Sequence, residues 1–397
     1  MRIFRYLLIL PVCIAIAGIF QYFFSAKYKF GYKAPFSGEN WYNPYAGNQI
    51  NRKWVKANFH THSRCWWGIT NGIGEPEDIY KLYKQYGYGN VSVSNYHQTS
   101  TSDKLSAYEH GFNLLKTHQL VFGDPNISWG DYVFPQSLSN KQETIYGLKH
   151  DPDALVVLNH PKIREGYSVS DFSQLTGFDL IELLHPSGTA TDYWDSALAV
   201  GNPVFSIGSD DLHDFRDLTK LGQNCTVLPD WAIRKEAILK ALRTGNSYSM
   251  KMCLVPGETV QHRLLRLKNS YPVLESADLD DADYKVRFSE TADSVLFISE
   301  GSQVRMQSAN SAMAAYTLRA QDRYIRVEAF FPNGISIYLN PVFRYRSDPF
   351  EGRYRINPIA INKMISFHLL GSLLLLVLFF FIFKGVMKRI FHFLHTP

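Results

Sequence analysis

Between residues 54 and 250, short apolar runs alternate with segments of helical period. The runs Trp54–His60, Asn90–Asn95, Gln119–Gly123, Ala154–Asn159, Asp179–Leu184, Pro203–Gly208 and Asn224–Leu228 are bounded by turn-forming residues, which predicts strands. Between them Pro76–Tyr86, Thr191–Val200 and Arg234–Arg243 place apolar residues three and four apart, the last closed by Gly245, which predicts helices. Such β/α alternation argues for a parallel sheet, and a barrel accounts best for polar residues gathered at many strand ends. Past Lys251 the pattern changes. Val286–Phe288, Ser294–Ile298, Tyr324–Phe330 and Ile335–Leu339 read as half-buried strands broken by Gly301 and Pro332-Asn333-Gly334, with no helical period between them. A barrel over 54–250 followed by a small antiparallel β-sandwich over 254–345 is the expected arrangement.

The ends differ from the middle. Leu7–Phe24 is apolar except for Gln21, and Ile365–Phe383 is interrupted only by Ser366, His368 and Ser372. Each run is about the length a helix needs to cross hydrocarbon, so a transmembrane helix is expected at each end, over 1–26 and 365–383. Residues 27–53 and 346–364 read as linkers and 384–397 as a basic tail. The first run could instead be a cleaved signal peptide, although no small-x-small pattern precedes Lys27. Arg2 and Arg5 before the first run, and Lys384, Lys388 and Arg389 after the second, put the tails on the cytoplasmic side. The expectation is therefore a membrane protein, with the lipid bilayer as a partner and its catalytic domain on the extracytoplasmic side.

Charge sharpens the reading. The formal net charge is +5, but residues 1–33 and 384–397 hold eight Lys/Arg and no acids, so the middle is net acidic. That argues against a nucleic-acid partner, whose binding domains carry a basic footprint. With 46% hydrophobic and 15% aromatic residues the chain can build well-formed cores. Cys65, Cys225 and Cys253 outside the first apolar run are an odd number and imply no disulfide framework.

Candidate chemistry concentrates in the first half, where nine of the thirteen histidines lie between residues 60 and 213. His60-Thr61-His62 follows one strand and Asp211-Leu212-His213 another. Side chains two apart in an extended segment leave the same face, so each tripeptide can aim two ligands at one place. A His-x-His alone is common by chance. With Tyr108-Glu109-His110 and Asn159-His160-Pro161 between them, the two tripeptides point to a polynuclear metallohydrolase.

These residues resemble the polymerase and histidinol phosphatase (PHP) superfamily of metal-dependent hydrolases. His60-Thr61-His62 is similar to its first motif, Leu158-Asn159-His160-Pro161 to its His-Pro motif, and Gly208-Ser209-Asp210-Asp211-Leu212-His213 to its closing motif. Longer strings, among them Trp54–His62, Tyr108–Gly111, His118–Gly123 and Asn340–Phe343, look like a membrane-tethered branch with a β-sandwich after the barrel. The resemblance implies an α/β fold, a distorted (β/α)7 barrel, with two or three divalent ions, Zn²⁺, Mn²⁺ or Fe²⁺, at the strand C-termini. It implies that His60, His62, Glu109 and Asp211 hold one ion and that Glu109 bridges to a second, which also takes His160 and His118. His213 would serve a third ion or the substrate. The family's Thr-Asp-His motif reads Ser94-Asn95-Tyr96-His97 here, and Arg64, Cys65, Trp66 and Trp67 stand where a further histidine is usual. Either His97 has moved by one position or Tyr96 takes the ligand slot, so a two-ion site is expected, with His97 near the third position and free to meet substrate.

Several other residues carry competing readings. His110 and His150 read as structural and solvated, His185 as second to the ligands or in contact with substrate, and Asp210 as a residue that orients a ligand. Arg64, Lys162 and Arg216 could clamp a phosphate or simply be solvated, and Trp66 and Trp67 could wall a pocket or fill the core. The expected function is a membrane-anchored phosphoesterase in which a metal-bridging hydroxide attacks a phosphate ester, small or from the cell envelope, with His213 or His97 assisting. Carboxylic or carbamic ester hydrolysis on the same site, and non-catalytic binding of an envelope glycan or lipid, are the alternatives.

Overall fold

The computed structural model describes residues 25–31, 33–47, 53–100 and 104–350, together with Tyr22 and the stretch 383–385. Eight strands surround the site: β1 (Trp54–Asn58), β2 (Tyr88–Val91), β3 (Ala107–His110), β4 (Gln119–Phe122), β5 (Leu155–Leu158), β6 (Leu180–His185), β7 (Phe205–Gly208) and β8 (Asn224–Pro229). Every residue of β3 to β8 is buried, as strands covered on both faces must be. Helices α1 (Pro76–Gln85), α2 (Leu138–Gly147), α3 (Val169–Gln174), α4 (Thr191–Ala199) and α5 (Lys235–Arg243) connect them. Helix α1 starts where its sequence says it should. Pro76 takes a first-turn position, Glu75 and Asp78 form a reciprocal capping box, and Ile79 and Tyr83 are the buried face.

The α/β character stands, but the strands do not build a parallel (β/α)7 barrel. They fall into two sheets, one containing β8-β1-β2 and the other β3-β4-β5-β6-β7. β1 and β2 are parallel, as are β5, β6 and β7, whereas β4 runs antiparallel to both neighbours and β8 antiparallel to β1. The reason is the link from β3 to β4: residues 111–118 are too few for a crossover, so the chain can only turn back. The sheets meet at two seams. At one, Tyr96 bridges to Glu109 and the His97 N–H donates to the Glu109 carbonyl. At the other, Thr226 Oγ1 accepts from Gly208 N at 3.1 Å and donates to Gly208 O at 3.0 Å. A Cβ on Gly208 would stand 2.8 Å from the Cys225 carbonyl oxygen, so the approach needs glycine.

The expected separate β-sandwich is also corrected. Strands β9 (Tyr248–Met252), β10 (Leu274–Asp280), β11 (Asp283–Ser299), β12 (Gln303–Thr317), β13 (Tyr324–Phe330) and β14 (Ile335–Tyr345) continue the first sheet, in the order β10-β11-β13-β14-β9-β8-β1-β2. The junction is the antiparallel pair β9–β14, with Tyr248 opposite Leu339 and Met250 opposite Ile337. Apolar side chains from both regions, such as Tyr83, Val227, Met250, Leu264, Tyr284 and Leu339, share one core cluster. The region expected to lack helix holds α6 (Val260–Asn269), capped by Thr259 Oγ1, with Leu264 and Leu267 buried. Asn340 of β14 ties the regions further. Its Oδ1 accepts from Ser206 N of β7 at 2.8 Å, and its Nδ2 donates to Gly245 O at 3.1 Å and Ser247 O at 2.9 Å.

The transmembrane helices expected at each end are not supported. Among the described residues no helix is long and apolar enough to cross a membrane. The runs Leu7–Phe24 and Ile365–Phe383 lie almost wholly outside the described residues. Tyr22, the described residue of the first run, donates its hydroxyl to Phe134 O at 2.6 Å and packs edge-on against Tyr132. The expected membrane location, with an extracytoplasmic catalytic domain, is withdrawn with the helices.

Candidate metal centre

One mouth of the strand wall collects the polar residues. His60 and His62 follow β1, Tyr96 and His97 follow the end of β2, Glu109 lies in β3, His160 follows β5, and Asp211 and His213 follow β7. His118 precedes β4, and because β4 is antiparallel its first end faces the same mouth. His97, His160 and Asp211 hold left-handed backbone angles, φ 48°, 25° and 46°, a cost of about 1–3 kcal/mol each that the surrounding structure must sustain.

Glu109 is the hub. Its Oε1 accepts from His118 Nδ1 at 2.9 Å, His160 Nε2 at 3.1 Å and Asn159 Nδ2 at 3.2 Å, while its Oε2 lies 3.3 Å from His62 Nε2. Asp211 Oδ1 is 3.2 Å from His60 Nε2 and 3.1 Å from His62 Nε2. Two groups of ligand atoms converge closely enough for a metal ion: His60, Glu109 and His160, and His60, His62 and Asp211. Although these atoms are close, His60 Nε2, His62 Nε2, His118 Nε2, Glu109 Oε2 and Asp211 Oδ1 are buried without an aligned hydrogen-bond partner. Buried polar atoms that face each other without sharing a bond are the arrangement a cation satisfies, and imidazole with carboxylate suits Zn²⁺, Mn²⁺ or Fe²⁺.

Electrostatics agree with that donor set. Burial favours the neutral His60 ring, but Asp211, Glu182 and Glu109 outweigh it and raise its pKa well above the ordinary value. Burial likewise opposes ionisation of Glu109, yet His118 and His60 hold its carboxyl well below the usual range. The His213 ring is pushed down to about 4 by burial and by the charge on His62, and its Nδ1–H donates to Asp211 O at 2.8 Å. Its Nε2 is left as a buried lone pair with no partner.

The mouth therefore brings together His60, His62, Glu109, His118, His160, Asp211 and His213. It does not bring His97 to them. His97 Nδ1–H donates to Ser128 O at 2.9 Å, its Nε2 accepts from Gly111 N–H at 3.2 Å, and burial lowers its pKa to about 4. Tyr96 stands nearer, its ring stacked on His62 at 4.9 Å. Of the candidate phosphate clamps, Arg216 pairs with Asp214 and Lys162 with Asp192. Asp210 accepts from Tyr83 Oη and from the N–H groups of Gly222 and Asn224, which makes it a brace for the loop after β7.

Sequence reasoning missed Glu182. Its Oε1 lies 2.8 Å from His60 Nδ1 and accepts from Ser209 Oγ at 2.6 Å, while Oε2 accepts from His160 N at 2.7 Å. It fixes the His60 tautomer so that Nε2 faces the cluster. The available signal was a carboxylate in the otherwise apolar Leu180-Ile181-Glu182-Leu183-Leu184, because a wholly buried acid needs partners. His185 Nε2, 3.2 Å from Asp211 Oδ2, plays a similar part for Asp211.

No protein-family model matches the chain, and no curated protein matches it. Among solved structures, it is similar to the crystal structure of a two-domain protein from Bacteroides vulgatus that contains a predicted PHP-like metal-dependent phosphoesterase. The identity is 14% and the TM-score 0.40, covering 76% of this chain and 99% of that chain.

Proposed function

We propose that the chain is a metal-dependent hydrolase of the PHP type that cleaves phosphate esters. The supporting observation is the pair of overlapping ligand groups that share His60, with unpaired buried nitrogen and oxygen atoms converging between them. His60, His62 and Asp211 would hold one divalent ion, and Glu109 and His160 a second beside His60, with His118 next to Glu109 as a further ligand and the two Glu109 oxygens facing the two groups. Ions bound there supply Lewis acidity and lower the pKa of water at the reacting phosphorus.

The chain's own residues do the rest. Glu182 and Asn159 orient ligand atoms, and His185 steadies Asp211. His213 keeps its Nδ1 proton on the Asp211 carbonyl and presents the Nε2 lone pair, so it accepts a proton or ligates and does not donate to a phosphate.

The test is elemental analysis of the full chain followed by turnover of a panel of phosphate monoesters, phosphate diesters and carboxylic esters. Two equivalents of metal and chelator-sensitive hydrolysis of phosphate esters are expected. Hydrolysis confined to carboxylic or carbamic esters would replace phosphorus by a carbonyl as the target. Absence of both metal and turnover would overturn the reading.

A further inference from the structure

Beside the ligand cluster, and sharing Tyr96 with it, lies a cleft of about 460 Å³ walled by Trp66, Tyr96, His97, Phe112, Lys116 and Trp129. Its walls are aromatic faces, and the polar edges of Trp66 and His97 are already used. The Trp66 indole N–H donates to Tyr96 O at 2.7 Å, and both His97 nitrogens are bonded to backbone. The rings lock one another: His97 lies within 14° of parallel to Trp129 at 5.2 Å, and Trp66 stands edge-on to Trp129 at 5.6 Å. Even so, Phe112 is 53% and Trp129 58% exposed, so π surface is kept in water beside a buried polar centre.

Tyr96 joins the two spaces, stacked on His62 at 4.9 Å and edge-on to His118 at 5.6 Å. Lys116 Nζ sits 5.5 Å from the Tyr96 ring centroid. It lines the cleft two residues before His118, at the boundary between cleft and cluster.

We infer that this cleft receives a planar aromatic ring carried on the organic group of an anionic ester substrate, with Lys116 meeting the negative charge of the ester. The ester rests on the phosphoesterase reading, whereas the ring preference follows from the cleft. A ring is favoured over an aliphatic chain because the walls offer flat π faces in edge-on and stacked pairs, which reward another planar ring beyond its buried area. Ile69 is the single aliphatic side chain in the lining.

The experiment titrates 2-phenylethylphosphonate and 2-cyclohexylethylphosphonate, neither of them hydrolysable, into the full-length, metal-loaded protein by calorimetry. The phenyl compound is expected to bind roughly three- to tenfold more tightly, the range that one ring pair supplies. Trp129→Ala should abolish the difference and Trp129→Phe retain it, while Lys116→Met should weaken both compounds alike. Phe112→Ala removes a second exposed ring of the lining and should likewise reduce the difference. Equal affinity in the wild type, or a preference that survives both alanine variants, overturns the inference.

The matching phosphate esters separate it from the parent reading. Hydrolysis of both esters at the same kcat/KM keeps the phosphoesterase and sinks the ring site. Hydrolysis of neither, with a Trp129-dependent ring preference in the phosphonates, sinks the phosphoesterase and keeps the ring site.

Discussion

Glu182 Oε1 lies 2.8 Å from His60 Nδ1, and both side chains are wholly buried. The carboxylate holds the imidazole so that its other nitrogen, Nε2, faces the cluster, and it raises that nitrogen's basicity toward a cation. Glu182→Gln keeps the shape and removes the charge. Metal affinity is expected to fall about 10- to 100-fold while the fold persists. A competition titration with a chromophoric chelator measures it, and unchanged affinity would show that Glu182 is only packing.

Asp211 and Glu109 are asked to neutralise the ions, so losing either should cost more than losing a support. Asp211→Ala and Glu109→Ala are expected to leave one equivalent of metal or none, and to stop hydrolysis. His60→Ala should do the same, since His60 belongs to both ligand groups. Full wild-type stoichiometry in these three variants would remove the basis of the assignment.

Gly111 links the cluster to the neighbouring cleft. Its φ is +122°, and a Cβ there would stand 2.5 Å from His118 Cδ2. Gly111→Ala therefore strains the backbone and pushes the His118 ring at once, and a loss of about 1–3 kcal/mol is expected. Thermal denaturation measures the loss. Weaker binding of one metal equivalent, with the other retained, would mark the displacement of His118.

Lys56 offers a pH test away from the site. Burial pushes its ammonium down to about 8, although it donates to Tyr86 O at 2.9 Å and to Leu267 O and lies over the rings of Tyr88 and Tyr271. The unfolded chain holds this proton up to about 10.5, so the native state binds fewer protons between those values and gains stability as pH rises. Below about pH 8 the burial cost is fully present, at most about 3 kcal/mol. Urea midpoints of the wild type relative to Lys56→Met should thus rise between pH 8 and 10. A difference independent of pH would place the proton elsewhere.

The residues that converge at the mouth were legible because their signal is local. His60-Thr61-His62 and Asp211-Leu212-His213 stand out as short motifs just past strand ends, although Asp211 itself leaves extended geometry with φ 46°, and the seven runs that predict strands coincide with strands to within a few residues. Pairing direction is not local. Nothing within Gln119–Phe122 states that it runs backwards, so the barrel looked parallel. Tyr248–Met252 likewise does not announce that Ile335–Tyr345 will pair with it, which is why one continuous sheet read as two domains. Helix α6 escaped because Arg263 and Arg266 interrupt its apolar face, yet the Arg263 guanidinium is buried and donates to three carbonyls, those of Leu218, Thr219 and Leu221. Glu182 contacts His60, 122 residues away, and only the folded chain introduces the two.

The bond from Ser206 N–H to Asn340 Oδ1, with the pairing of Tyr248–Met252 on Ile335–Tyr345, joins the two halves of this chain. A protease cut in the segment between Met252 and Val260, where Leu254 is half exposed, would sever no strand and no ligand-bearing loop. The fragments would nevertheless elute together on gel filtration, because β14 fills the open edge of β9 and braces the strand that leads to Asp211. Separated by denaturant, the larger N-terminal piece would carry every metal ligand and still lack the centre, and mixing in the C-terminal piece would restore it. The half that carries the candidate ligands would then behave as a subunit whose partner is encoded on the same polypeptide.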